Sequence, residues 1–169
     1  MPEDKLTWDQ YFINLCYEIA KKSKDPSTKI GCIIVYQDNG ICSMGFNGFA
    51  RGIEDSFERL ENRSIKYPMI VHSETNAIYN AARHGHNTNG CKMYVPWLPC
   101  SSCANSIVQS GIVEVIMDGN FVKDPDLMKR WEKEHNMART ILEEGGVVMR
   151  KHTLKFFIEN GNSKLDFCF

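Results

Sequence analysis

Apolar residues recur three and four apart across residues 7–23. Trp8, Tyr11, Phe12, Leu15, Cys16 and Ile19 form one stripe, the spacing of an amphipathic helix. Thr7, with Gln10 three residues on, has the form of a capping box, and Asp25-Pro26 ends the pattern. Two β-rich runs follow, Ile30 to Tyr36 and Ile41 to Phe46. Asp38-Asn39-Gly40 lies between them as a turn signal, so they predict a hairpin. Ser73 to His84 is helical again, with Ala77, Ile78, Ala81 and Ala82 on one side and Gly85 as the stop. Cys91 to Val95 reads as a strand, Cys100 to Ser110 as a helix stopped by Gly111, and Ile112 to Met117 as a strand. Asp124-Pro125 starts a long helix whose apolar face is Leu127, Trp131, Ala138, Ile141 and Leu142. Gly145-Gly146 ends it, and Val147 to Arg150 is a last strand. The order α-β-β-α-β-α-β-α-β predicts a three-layer α/β/α sandwich around a mixed five-stranded sheet.

Two stretches resist this reading. Residues 47–68 are irregular and carry mixed charge from Arg51 to Lys66. They are expected to be a solvated loop with a short helix, or a loop that meets substrate or effector. Thr153 to Phe169 is weakly patterned. The expected organisation is one domain over residues 1–169, with its core at about 7–152 and a tail at 153–169.

Composition narrows the class. With 43% apolar and 24% charged residues, collagen, disorder and coiled coil are excluded. Twenty basic and 21 acidic side chains leave a net charge of −1, without the overall basicity of a nucleic-acid binder. No apolar run approaches the roughly 20 residues that span a bilayer. Met-Pro-Glu-Asp-Lys at the start has no apolar stretch behind it and is not a secretory signal. Seven cysteines, an odd number, then point to the reducing cytoplasm. Cys16, Cys32, Cys42 and Cys91 stand singly in apolar surroundings and read as packing residues.

Cys100 and Cys103 differ because Pro99-Cys100-Ser101-Ser102-Cys103 sets them at a helix start, as His72-Ser73-Glu74 sets an imidazole and a carboxylate at another. One imidazole and two thiolates leave a fourth tetrahedral position on a zinc ion open for chemistry. Helix N-termini lower thiol pKa and favour the thiolate that metal binding requires. Glu74, two residues from His72, can take a proton from a water at that open position and return it to a leaving group. A redox Cys-x-x-Cys would not ask for His-x-Glu on a second helix. A structural zinc would need a fourth ligand, for which Cys91 and His84 are the candidates. His86, His135 and His152 lack partner spacing and read as surface residues.

His-x-Glu followed by Pro-Cys-x-x-Cys resembles the signature of the zinc nucleobase deaminases. From about Trp8 to Arg150 the chain resembles the cytidine and deoxycytidylate deaminase superfamily, and within it the deoxycytidylate (dCMP) deaminase branch. Ser23-Lys24-Asp25-Pro26-Ser27-Thr28-Lys29-Ile30-Gly31 is similar to that branch's first loop. Gly45-Phe46-Asn47-Gly48 is similar to its Gly-aromatic-Asn-Gly motif, and Gln109-Ser110-Gly111-Ile112 to its turn after the cysteines. The resemblance implies a cytidine deaminase-like fold in which His72, Cys100 and Cys103 hold zinc and Glu74 shuttles protons. It implies Asn47 at the sugar, Trp97 walling the base pocket and Ala77 beneath the base. It also implies hydrolysis of dCMP to dUMP and ammonia. Members of this branch are often hexamers regulated by dCTP and dTTP with Mg2+, which would involve Phe46 and Gly48. The pattern departs at Ser73, where the family carries Ala, and at Phe121, where it carries a substrate-contacting Tyr. A phosphate contact would then fall to Arg51, Lys123, Arg130 or the Ser23 to Lys29 loop. A polynucleotide deaminase, such as one acting on tRNA adenosine, is the nearest rival, and a non-catalytic zinc module is a further one. The small net charge and the Asn47 motif favour a mononucleotide.

Overall fold

The computed structural model describes residues 6–121 and 124–153. Its core is a five-stranded sheet of β1 (Gly31–Val35), β2 (Ile41–Phe46), β5 (Lys92–Tyr94), β6 (Glu114–Asp118) and β7 (Val148–His152). The strand order is β2-β1-β5-β6-β7. β1 runs antiparallel to β2 and β5, whereas β6 is parallel to both β5 and β7, so the sheet is mixed. Asn39 takes a φ of 68° in the hairpin turn, which Asn tolerates better than most residues.

β1 is buried on both faces, and its alternation divides the core. Ile33 and Val35 pack with Tyr94, Ile116 and the Phe12, Ile13 and Cys16 face of α1 (Trp8–Ala20). Cys32 and Ile34 face the opposite layer with Ala77, Ala81, Ala104, Ile107, Ala138 and Leu142. That layer is α4 (Ser73–Arg83), α5 (Ser101–Gln109) and α6 (Pro125–Glu144). The three-layer α/β/α sandwich is therefore the observed architecture.

Details of the periodicity shift. The Thr7–Gln10 capping box forms. However, α1 is rotated so that Ile13 is fully buried while Trp8 and Tyr11 are exposed. Trp8 instead stacks on Phe12, with centroids 5.6 Å apart. Ala82 is exposed, and only Ala77 and Ala81 of the α4 stripe reach full burial. The four single cysteines are all buried. Residues 47–68 hold more structure than expected: β3 (Gly48–Phe49), α2 (Phe57–Glu61) and α3 (Arg63–Met69), followed by β4 (Ile70–Val71). β3 pairs antiparallel with β4, Gly48 opposite Val71. Among the described residues, no helix is long and apolar enough to cross a membrane. The tail beyond residue 153 lies outside the described residues.

Candidate active site

Two helix N-termini converge beyond the β1–β2 and β5 strands. His72 is the N-cap of α4 and Cys100 the N-cap of α5, and neither side chain caps its own helix. His72 Nδ1 lies 3.5 Å from Cys100 Sγ and 3.5 Å from Cys103 Sγ. A tetrahedral zinc with ordinary Zn–N and Zn–S bonds requires N and S ligands about 3.6 Å apart. The spacing and the one-nitrogen, two-sulfur donor set therefore fit zinc. Among the described residues these three form the sole such group of His, Cys, Asp and Glu side chains, with ligand atoms within 4.8 Å of one another. Neither His84 nor Cys91 joins them; Cys91 is buried in the core. The described set thus stops at three ligands, which leaves one tetrahedral position for chemistry.

The three ligand side chains shift one another's titration. A hydrogen bond from Cys103, with a second from His72, holds the Cys100 thiol down to about 4 despite its burial. The Cys100 contact in turn raises His72 to about 9. Cys103 is pushed upward, first by its bond to Cys100 and then by burial, and the Thr75 hydroxyl lies 3.5 Å from its sulfur.

Glu74 sits in the first turn of α4 and is only 6% exposed. Its charge bears on both His72 and Cys103, so the carboxylate faces the same space as the ligands. Ser73, fully buried, donates its hydroxyl to Glu74 Oε2 at 2.8 Å.

Gly45 explains how α4 is held. A Cβ there would lie 2.4 Å from the Ala77 nitrogen and 2.5 Å from the Ser73 carbonyl. The helix backbone therefore rests directly on β2. Ser43 donates to the Ala77 carbonyl, Asn76 to that of Phe46 and Asn80 to that of Met44, each at 2.7 Å.

The substrate residues implied by resemblance are placed unevenly. Asn47 is the neighbour of Gly48, whose partner Val71 precedes His72, so it stands near the metal ligand. Its amide is already engaged: Oδ1 accepts from Ile30 N, and Nδ2 donates to the Thr28 carbonyl, both at 2.8 Å. The second amide hydrogen is left for a ligand. Ser23 is buried and donates to the Asn47 carbonyl, so its hydroxyl fixes the loop. Trp97 packs its ring against Phe121, Trp131 and His135, with centroids 5.8, 5.6 and 5.0 Å away. Ala77 is fully buried in the core where α4 lies on β2. Arg51 lies exposed in the turn after β3 and Arg130 exposed on α6; neither is brought to the metal group by a described contact. Lys123 lies outside the described residues. Phe46 is 39% exposed at the end of β2, and Gly48 lies within the β3–β4 pair.

One expectation is corrected. His135 is not a surface residue but 3% exposed, held between Trp97 and Trp131. Burial lowers its pKa. His86 is exposed as expected, while His152 is half-buried with Nδ1 3.8 Å from Asp9. The sequence reading also missed Glu134, which accepts a hydrogen bond from Ser101 Oγ at 2.6 Å. No spacing rule links residues on separate helices, so a contact of this kind leaves no local signal.

Residues 6–118 match the cytidine and deoxycytidylate deaminase zinc-binding region. The chain belongs to the cytidine and deoxycytidylate deaminase family. It is 36% identical over 159 residues to a deoxycytidylate deaminase of Mus musculus, covering 91% of this chain and 84% of that one. It is 36% identical over 154 residues to the Homo sapiens deoxycytidylate deaminase, covering 88% and 82%. In three dimensions it resembles a dCMP deaminase from the cyanophage S-TIM5, solved in complex with dCMP and dUMP. The TM-score is 0.63 at 20% identity, over 90% of this chain and 98% of that one, a likeness of fold. Family and donor set together make this a nucleotide deaminase with a zinc-type site.

Proposed function

We propose that this chain hydrolyses dCMP to dUMP and ammonia, the route that supplies dUMP for thymidylate synthesis. The observation that carries the reading is Glu74, buried and near His72 and Cys103, in a chain 36% identical to deoxycytidylate deaminases over most of its length.

His72, Cys100 and Cys103 would hold the zinc. When bound there, it supplies Lewis-acid activation of a water. Glu74 takes a proton from the attacking water and delivers it to N3 of cytosine as the bond from oxygen to C4 forms. The same carboxylate then moves the proton of the new C4 hydroxyl to the exocyclic nitrogen. The C4–N bond breaks, ammonia leaves and the carbonyl of uracil remains. Ser73 keeps Oε2 of Glu74 occupied, so Oε1 is the free oxygen for the transfers. Trp97 walls the base. Asn47 offers its remaining amide hydrogen to the sugar and holds the 23–30 loop at the rim. Phe121, carrying no hydroxyl and packed on Trp97, leaves the 5′-phosphate to a basic side chain, for which Arg51 is the candidate.

A deamination screen over cytosine, cytidine, CMP, dCMP and dCTP, read as ammonia release, tests this. We expect dCMP to be preferred, and Arg51→Ala to raise KM for dCMP while leaving deoxycytidine turnover unchanged. A preference for dCTP or for the free nucleoside would overturn the dCMP assignment.

A further inference from the structure

We propose that Glu134 of α6 is a positioning residue for the metal ligands, anchoring the start of α5 beside Cys100. A helix start has backbone N–H groups without intrahelical partners, and the residue before the first turn ordinarily satisfies one with its side chain. In α5 that residue is Cys100, whose sulfur faces His72 and makes no capping bond. Glu134 reaches that helix start from another element. Its carboxylate accepts from the hydroxyl of Ser101, the residue after Cys100, at 2.6 Å. A negative group there also suits the positive end of the helix.

The next residue extends the grip to the other side of Cys100. His135 is buried and sets its ring edge-on to Trp97, with centroids 5.0 Å apart. Two consecutive residues of α6 thus hold the 97–101 segment before and after the ligand. Holding the backbone on both sides of Cys100 fixes the direction of its sulfur, as hydrogen bonds to the ligands themselves do in other metal sites.

The inference rests on reading His72, Cys100 and Cys103 as the metal ligands. Its test is the rate of zinc transfer from the full chain to a chromogenic chelator, with Co(II)-substituted protein as a spectroscopic check. E134A should lose zinc about 10- to 100-fold faster than wild type, with shifted thiolate-to-cobalt bands. E134Q should stay near wild type, because its amide oxygen can accept the same bond. S101A, which removes the same bond from its other end, should lose zinc as fast as E134A. Should E134A fail to fold, the comparison of E134Q with S101A carries the same test. Wild-type loss rates and spectra in E134A, or S101A matching wild type, or zinc loss from E134Q as fast as from E134A, would overturn the inference. Wild-type protein holding no zinc would instead overturn the ligand assignment itself.

Discussion

At Gly45 it is the absence of a side chain that seats the helix of the candidate site. The α4 backbone sits where a β-carbon would be, and that helix carries both His72 and Glu74. Gly45→Ala must push α4 away from β2, an overpacking that costs about 1–3 kcal/mol. The expected result is a melting temperature lowered by several degrees and weakened zinc retention; an unchanged thermal melt would show that α4 has room to yield. The sequence displays Gly45 only as part of a motif similar to one in the deaminases. Its spatial reason is not legible there, because the atoms it makes way for belong to residues 73–77.

Between elements, polar contacts fasten the rim of the site. Lys66 of α3 is 4% exposed and donates to Asp25 at 3.0 Å and to Ser27 at 2.8 Å, tying α3 to the 23–30 loop that Asn47 also holds. Burial alone would raise the Asp25 pKa, but bonds from Ser27 and Lys66 outweigh it and hold the carboxyl below its usual value. A carboxyl depressed by folding stabilises the native state above its unfolded pKa of about 3.9, and that stability is lost as pH falls through the folded value. Thermal melts should thus be insensitive to this group at neutral pH and fall below about pH 4, a fall that Asp25→Asn reduces. Lys66→Met leaves a buried carboxylate without its cation and should cost about 3–5 kcal/mol at pH 7, measured by denaturant unfolding. A cost near zero would mean that the pair does not fasten the loop. These elements mark the limit of periodicity. The main helices were legible because each is long enough to repeat, and the core strands because their apolar runs are bounded by turn or helix signals. β3 and β4, two residues each, have no period to read, and a charge-rich sequence such as Arg63–Met69 conceals that its Lys66 faces inward.

At the scale of the whole molecule, the sandwich brings together motifs that the chain separates. His-x-Glu and Cys-x-x-Cys were legible as chemistry because metal ligands need fixed residue types at fixed local spacing, and both lie at helix starts. The supports supplied by α6 were not legible, since Glu134 and His135 meet the 97–101 segment only after the chain has crossed to β6 and returned. The central claim is that Glu74 transfers the protons at a His72–Cys100–Cys103 zinc site. The most direct measurement is zinc per chain together with ammonia release from dCMP, for wild type and Glu74→Gln. The account predicts equal zinc in both and a loss of turnover in the variant of about 10⁴-fold, the upper end for general acid–base catalysis, since one carboxylate serves each transfer. A variant that holds its zinc and keeps a substantial fraction of wild-type turnover would contradict it.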